Sequence, residues 1–223
     1  MPGTFVGETR LPKNFGRYAA QFSLLELDCD PGSIPSKARL RACRESAPAD
    51  FVFSLVVPSR FASLDGSAEA EAAWRAAKNV SEVLAARWWV VRTPAEVRPT
   101  TRTKEQLGRL FATLSAGGMS VAWEPRGVWD DQDAAQTAES LGAHLVQDVA
   151  RVEPLPGRVL YARLLGLARG AKVSLAAADR VVSRVQSFES AYVVVEGRGA
   201  KEIQQLIRAE SELGEEPDES EEP

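Results

Sequence analysis

Eight short apolar runs alternate with segments of helical character along this chain, and this alternation constrains the fold more than any other feature. Most runs are nearly continuous Val, Leu, Phe or Trp, which is typical of strands buried on both faces of a parallel sheet. We therefore predict an α/β fold, a closed TIM-type (β/α)8 barrel that is compact at 223 residues, with a doubly wound open sheet as the alternative. The runs are TFVGET (4–9), SLLELD (23–28), FVFSLVVP (51–58), WWVVRT (88–93), MSVAWE (119–124), AHLVQD (143–148), RVLYARL (158–164) and AYVVVE (191–196).

The segments between these runs have helical periodicity, with one exception. In residues 103–118, apolar side chains recur at i, i+3, i+4 and i+7, with Thr103 as the expected cap and Gly117 as the expected end. In residues 129–142, three aspartates precede the apolar positions and Gly142 closes the segment. Residues 149–157, VARVEPLPG, are too short and too rich in proline for a full helix. We expect a short or missing helix between strands 6 and 7.

The composition indicates where in the cell the protein resides and whether its cysteines are oxidised. No apolar run approaches 18 residues, and the N-terminus lacks a basic segment followed by an apolar one, so we expect neither a membrane span nor a signal peptide. A cytoplasmic protein, monomeric by preference, is the resulting prediction. Cys29 and Cys43 form neither a disulfide framework nor a closely spaced zinc pair, and they are interpreted as reduced thiols.

Residues 210–223 differ in composition from the rest of the chain. They contain eight acids and no base, and removing them changes the formal net charge from −4 to +4. A segment this acidic, with almost no apolar side chains, is predicted to be disordered. We therefore predict a single domain of residues 1–209 followed by an acidic tail. The tail either keeps the protein in solution or folds over a basic face and competes with an anionic ligand.

The carboxyl ends of the strands are where a barrel of this kind holds its chemistry. The stretch VAWEPRGVW (121–129) ends a strand with Glu124 and Arg126, and Pro125 and Gly127 are suited to a sharp exit. A second pair, Glu26 and Asp28, lies two residues apart and shares one face of its strand. Arginines also lie near most of these ends: Arg10, Arg60, Arg92, Arg126, Arg163 and Arg198.

Four stretches, in the same order, are similar to the YecE-like proteins, the family called domain of unknown function 72. They are YAAQFSLLELD (18–28), FVFSLVVPSRF (51–61), WEPRG (123–127) with the downstream Trp129, and YARLLG (161–166). The resemblance spans roughly residues 4–208 and marks this chain as a divergent member. It implies a TIM barrel related in shape to sugar isomerases and to an apurinic endonuclease, in a family whose biochemical role is not established.

The resemblance also implies positions for site residues. The family's Glu-x-Asn of the second strand matches Glu26 and Asp28, its Glu-x-Arg of the fifth matches Glu124 and Arg126, and its Arg-Leu-His-Gly of the seventh begins at Arg163 but lacks the histidine. Other positions depart from the pattern and predict either a changed substrate or a lost activity. These are GETRLP (7–12), CDPGSIP (29–35), Val56 in place of a lysine, and Glu196 with Gly197 in place of paired asparagines.

The leading functional hypothesis is an anion-binding site at the mouth of the barrel, in a metal-assisted hydrolase of phosphate esters or nucleic acid. Glu26 and Glu124 are the candidate catalytic groups, as metal ligands or general bases, and Asp28 and Asp148 complete an oxygen set suited to Mg²⁺ or Mn²⁺. A zinc cluster is not expected, since the chain has one histidine, His144, which is interpreted as structural. The candidate anion-binding residues are Arg126, Arg163, Arg92 and Trp129.

Three alternatives remain open on the residues alone. In the first alternative, Arg126 and Arg163 bind no ligand and only neutralise Glu26 and Glu124 as buried ion pairs. In the second, the chain is a non-catalytic binding protein that has lost its chemistry. The third, a sugar isomerase or lyase, rests on fold analogy. Among the aromatic residues, Trp129 is the candidate for stacking on a ligand, and the other tryptophans are interpreted as packing residues.

Overall fold

Eight parallel strands close into one barrel in the order in which they occur along the chain. The computed structural model describes residues 3–164, 174–197 and 199–213. The first and last strands pair from Gly3↔Ser190 to Glu8↔Val195, which closes the sheet and excludes the open-sheet alternative. The TIM-type barrel predicted from the apolar runs is confirmed. The strands are β1 Gly3–Glu8, β2 Leu24–Asp28, β3 Val52–Val56, β4 Trp88–Thr93, β5 Ser120–Pro125, β6 His144–Gln147, β7 Val159–Leu164 and β8 Ser190–Val195.

Helices surround the barrel, except between β6 and β7. That connection, residues 148–158, is described throughout and contains no helix, as its length and prolines predict. The carbonyl oxygens of Val149 and Ala150 instead accept hydrogen bonds from Arg184 and Arg180 on the seventh helix. The helices are α1 Phe15–Ala19, α2 Lys37–Ser46, α3 Ser59–Ala62, α4 Ala68–Leu84, α5 Thr101–Ser115, α6 Asp131–Ser140, α7 Leu175–Val185 and α8 Ala200–Leu213. None of the described helices is long and apolar enough to cross a membrane.

Two helix ends test the capping predictions. Helix α5 begins one turn earlier than expected, because Thr100 and not Thr103 is its cap: the hydroxyl of Thr100 accepts from the backbone N–H of Thr103. Helix α6 is capped by Asp130 and has two further acids in its first turn, where they complement the helix dipole. Gly142, with φ of 69°, follows the end of that helix as predicted.

The core lies in two layers on either side of the barrel wall. Along β2, Leu24 faces the barrel interior, whereas Leu25 and Leu27 pack outward among the helices. Because side chains alternate along a strand, Glu26 and Asp28 face inward with Leu24. The same rule orients the other strands, whose inward residues include Val52, Val56, Trp88, Val90, Ala122, Tyr161, Tyr192 and Val194. The tryptophans at 74, 88, 89 and 123 are all buried, as the packing interpretation predicts.

Helix α8 extends past residue 209, the predicted end of the domain. It continues to Leu213, so the boundary at residue 209 falls inside a helix. Buried Ile203 and Ile207 anchor it, and the amide of Gln186 donates to Glu210, the first residue of the predicted tail. The first residues of the predicted acidic tail therefore belong to this helix. Residues 214–223 lie outside the described residues, and their predicted disorder stays a prediction.

His144 opens β6 at the amino end of the barrel and contacts Trp88 edge to face, with ring centroids 5.2 Å apart. Its structural interpretation is thereby supported. Burial favours the neutral ring and lowers the pKa of His144 below the usual 6.5. Since the unfolded chain then binds a proton more readily than the folded one, this histidine stabilises the fold above about pH 6.5 and that contribution is lost as pH falls.

We expect the titration of this single histidine to be visible directly. The C2 proton of His144 in a one-dimensional NMR series should titrate with a pKa below 6.5, because the ring is partly removed from water against Trp88. The chain has one histidine, so the assignment needs no variant. A pKa at or above 6.5 would contradict the buried position.

Candidate functional site

Charged side chains face inward at the carboxyl ends of four strands, β2, β4, β5 and β7, and we call this end of the barrel the mouth. Arg92 continues the inward series of Trp88 and Val90, and its strand neighbour in register is Glu124. On β7, Arg163 lies two residues after the inward-facing Tyr161 and therefore also faces inward. Together with Asp28 of β2 and the turn after β5, these residues bring most of the predicted site to one end of the barrel.

A buried arginine joins the two predicted catalytic glutamates. Nε of Arg163 lies 3.1 Å and Nη2 3.0 Å from Oε1 of Glu26, and Nη1 donates to Oε2 of Glu124. The side chain of Arg163 is 2% exposed, and both carboxylates are buried. Charges so far from water require partners, and each group here is a partner of the next. The ion-pair interpretation of Arg163 is confirmed, and Arg163 is the central residue of the site.

Two residues that the sequence reasoning missed extend this chain of contacts into the barrel. The hydroxyl of Tyr161 donates to Oε2 of Glu26 at 2.9 Å, and its oxygen lies 2.6 Å from Oγ of Ser54. Because the phenol has one proton, the hydroxyl of Ser54 is the donor to Tyr161. Tyr161 lies two residues before Arg163 on the same strand face, and this spacing is the sequence signal that could have found it.

Burial and the neighbouring charges shift the pKa values of Glu26 and Arg163 in opposite directions. Burial raises the pKa of Glu26, while Arg163 and the Tyr161 hydroxyl act to lower it. Burial also works against the charge of Arg163, but Glu26 and Glu124 outweigh it and raise the arginine pKa above its usual value. The pKa of Tyr161 is raised well above 10, first by burial and then by the Glu26 charge, so the phenol stays a donor.

Two further arginines lie on the outer side of Glu124. Nε of Arg92 is 3.4 Å from Oε2 of Glu124, and Nη2 of Arg126 is 3.5 Å from Oε1. The side chains of Arg92 and Arg126 are 26% and 49% exposed, so both reach solvent at the mouth. Nε of Arg92 is buried, and no hydrogen bond to it is found within the described residues. With Arg163 included, three guanidinium groups share two carboxylates.

The turn after β5 holds Arg126 in place, as the motif predicts. Gly127 has φ of 85°, and a Cβ there would lie 2.7 Å from the carbonyl oxygen of Ala95. Only glycine fits both restrictions without strain. Trp129, two residues on, donates from Nε1 to the carbonyl of Val97 at 2.7 Å and packs edge-on against Trp123. Its ring thus belongs to the layer outside the strands, and stacking on a ligand stays a prediction.

The predicted four-carboxylate metal set is corrected. Among the described residues, no three Asp, Glu, His or Cys side chains form a group suited to a metal ion. Asp28 is exposed, and its Oδ1 accepts from the backbone N–H of Asp30 at 2.8 Å. Asp148, just after β6, accepts from the N–H of Ala150 and pairs with Arg151. The physical reason is that Arg163 lies between Glu26 and Glu124, where a cation would otherwise lie.

The remaining predictions concern residues near the mouth. Cys29 is buried and its pKa is raised to about 12, chiefly by burial and further by Asp28 and Asp30, so this thiol is a weak nucleophile. Arg10 is exposed in the loop after β1, and Arg60 is exposed on the short helix α3 that follows β3. Arg198 and residues 165–166 of the seventh-strand motif lie outside the described residues.

Known proteins share both the sequence pattern and the fold of this chain. The model of a family described as "Protein of unknown function DUF72" matches residues 4–222. The chain belongs to the DUF72 family. This confirms the resemblance to the YecE-like proteins, which are the same family, and extends it beyond residue 208. None of the curated proteins compared with this chain matches it.

Solved structures give the same fold. A DUF72 family protein of Thermotoga maritima aligns with a TM-score of 0.69 at 17% identity, covering 94% of this chain and 99% of the other. One from Enterococcus faecalis aligns with a TM-score of 0.67 at 16% identity, covering 95% and 98%. An L-ribulose 3-epimerase aligns with a TM-score of 0.53 at 12% identity, covering 94% and 91%. At these identities the likeness is one of fold.

Proposed function

We propose that this DUF72 protein binds a small phosphorylated molecule at the mouth, with Arg92 and Arg126 as the anion-binding groups. One observation carries the proposal: Glu124 is already paired with buried Arg163, yet two further guanidinium groups lie within 3.5 Å of it and reach solvent. With all five charges present, the two glutamates and three arginines have a net charge of +1. A phosphate dianion would neutralise that excess and accept hydrogen bonds from both exposed arginines.

The geometry favours a binding protein over the metal-assisted hydrolase. A general base needs a carboxylate free to take a proton from the substrate or from water. Glu26 is buried against Arg163 and Tyr161, and Glu124 is shared by three arginines, so both are committed within the protein. Glu26, Asp28, Glu124 and Asp148 do not come together as a metal-binding group in the described part of the chain. The isomerase alternative rests on the fold alone.

A small ligand fits the mouth better than nucleic acid does. The arginines lie on the inward face of a closed barrel, so a compact phosphate reaches them more readily than a duplex. The exposed acids Asp28 and Glu196 lie at the tips of two other strands and would repel a polyanion. The monomeric state and the cytoplasmic location stay predictions.

We expect the Arg126→Ala substitution to weaken binding of glucose 6-phosphate about five- to tenfold, measured by isothermal titration calorimetry on the full chain. Arg126 is half-exposed, so the loss is smaller than for a fully buried charged contact. Arg92→Ala should act in the same direction. Fluorescent oligonucleotides titrated in parallel across a salt series test the nucleic-acid alternative.

A matched control is available at the other end of the barrel. Arg158 precedes β7 and forms an exposed ion pair with Glu189, so Arg158→Ala removes the same charge far from the mouth. It should leave the affinity for glucose 6-phosphate unchanged. Equal binding by Arg126→Ala and the wild type would overturn the anion site, and tight salt-sensitive binding of oligonucleotides would move the substrate class to nucleic acid.

A further inference from the structure

The outer face of β6 is only partly covered. In register, Leu145 lies beside the outward-facing Trp123, and Gln147 lies beside the outward-facing Ala162, so Leu145 and Gln147 face away from the barrel interior. A strand of a parallel barrel is normally buried on both faces. Among the described strands, β6 is the one in which no residue is buried, because its connection to β7 contains no helix.

A groove of about 870 Å³ lies over this face. Helix α6 forms one border of the groove, and the connection between β6 and β7 forms the other. The connection is held in place across the strand, because Oε1 of Gln147 accepts the backbone N–H of Leu155 at 2.7 Å. The apolar side chains that line the groove include Ala135, Ala138, Leu145, Leu155 and Pro156. An apolar side chain of a neighbouring molecule would therefore find an apolar surface here.

Large exposed apolar side chains are concentrated next to the groove. The described part of the chain has three of them, Val128, Val152 and Leu155. Val152 and Leu155 belong to the connection that borders the groove, and their exposed fractions are 49% and 42%. Exposed apolar side chains beside an apolar groove are typical of a protein–protein interface. Because the groove and the protruding side chains belong to the same chain, this surface is complementary to a second copy of itself.

The two borders of the groove match each other in order. Helix α6 and the connection both run from the mouth to the amino end of the barrel, since each leads from the end of one strand to the start of the next. A two-fold axis parallel to the barrel axis would place the connection of one copy against α6 of the other at the same level. Leu155 of one copy then meets the small side chains Ala135 and Ala138 of the other. Nearer the amino end, Arg158 meets Glu139.

Arg158 and Glu139 are able to pair across such an interface. Glu139 is exposed, and it has no ion pair within the described ranges. Nε and Nη2 of Arg158 bind Glu189, and no hydrogen bond of Nη1 is found among the described residues. A guanidinium group can bind two carboxylates at once, as Arg163 does inside the barrel. The contact is exposed to solvent, so it contributes to the orientation of the two copies more than to their affinity.

We propose that two copies of this chain associate through the groove, with Leu155 of each copy packed against α6 of the other. This inference is independent of the anion site, which lies at the mouth. It departs from the monomer expected on the sequence alone, because the open face of β6 is apparent only once the strands are assembled. Each copy contributes one groove and one short connection, so the interface is small and the dimer is weak, with a Kd of about 10–100 µM.

The test is sedimentation velocity of the full chain at roughly 5–200 µM. We expect the weight-average mass to rise with concentration from that of one chain towards that of two. Leu155→Asp should raise the Kd at least about tenfold, because it places a charge against an apolar surface and occurs twice across a two-fold interface. Ala135→Arg, on the opposite border, should have a similar effect by filling the groove. Glu139→Arg should raise the Kd about two- to fivefold, because it places a like charge opposite Arg158.

Val128→Asp is the matched control, since Val128 is 68% exposed but lies in the turn after β5 at the mouth. It adds the same charge at an exposed apolar side chain and should leave the Kd unchanged. Leu155 and Val128 are exposed in the single chain, so both variants should keep the wild-type circular dichroism spectrum. A chain that stays monomeric up to roughly 200 µM would overturn the inference. A dimer that Leu155→Asp and Ala135→Arg leave intact would overturn it as well, because the two copies would then be joined elsewhere.

Discussion

Replacing Arg163 by methionine is expected to lower the free energy of unfolding by about 3–5 kcal/mol. The side chain is 2% exposed and is bonded to Glu26 and Glu124, so its removal leaves Glu26 buried without a counter-charge and takes one of three arginines away from Glu124. Urea or thermal unfolding followed by circular dichroism measures the loss. The loss should be larger at pH 8 than at pH 5, because burial already raises the pKa of Glu26 and acid relieves the unpaired charge by protonating it.

Arg158→Ala is the matched control for this experiment. Arg158 forms a bidentate pair with Glu189, but its side chain is 81% exposed, and a solvent-exposed pair contributes little to stability, so this variant should unfold like the wild type. Restoring neutrality with Glu26→Gln in the Arg163→Met background should recover part of the loss. A loss of under 1 kcal/mol in Arg163→Met would show that the buried network is not what holds the inner strands together.

The architecture follows from the apolar runs because burial on both faces of a strand leaves a direct mark on its composition. The same physics singles out Arg163 in the sequence: an arginine inside an apolar strand must have a partner, and the partners are the glutamates predicted at two other strand tips. The turn after β5 was also predictable, because it depends on neighbouring residues alone. Gly127 allows the chain to turn sharply there, and the turn places Arg126 beside Glu124.

What the sequence could not supply are contacts between residues far apart in the chain. Tyr161 and Ser54 are 107 residues apart and resemble ordinary packing residues of apolar strands, so the pattern of the sequence does not predict their hydrogen bond to each other. The predicted metal site was wrong for a related reason. Carboxylates at the same end of a barrel need not lie close enough to bind one ion, and Asp148 instead pairs with its neighbour Arg151. The start of the predicted tail was set by acid density, which does not register that α8, anchored by buried Ile203 and Ile207, continues to Leu213.

Gly7→Ala is expected to lower the free energy of unfolding by at least about 3 kcal/mol, the upper end of what overpacking usually costs. A Cβ on Gly7 would lie 1.9 Å from the carbonyl oxygen and 2.4 Å from the carbonyl carbon of Leu24, so backbone must move. Those atoms belong to β2, which pairs with β1 through Gly7↔Leu24 and Glu8↔Leu25. No rotamer change relieves the contact, because both groups are main chain.

Gly3→Ala is the control for Gly7→Ala on the same strand. Its Cβ would lie 3.3 Å from the ring of Phe5, a side chain that is able to move, so we expect a change within about 1 kcal/mol. Because Glu26 lies two residues beyond Leu24, the displacement in Gly7→Ala should also reach the carboxylate that Arg163 holds. Weaker binding of glucose 6-phosphate by the folded fraction of Gly7→Ala would show that coupling, whereas wild-type stability in this variant would mean that β1 and β2 are not so closely apposed.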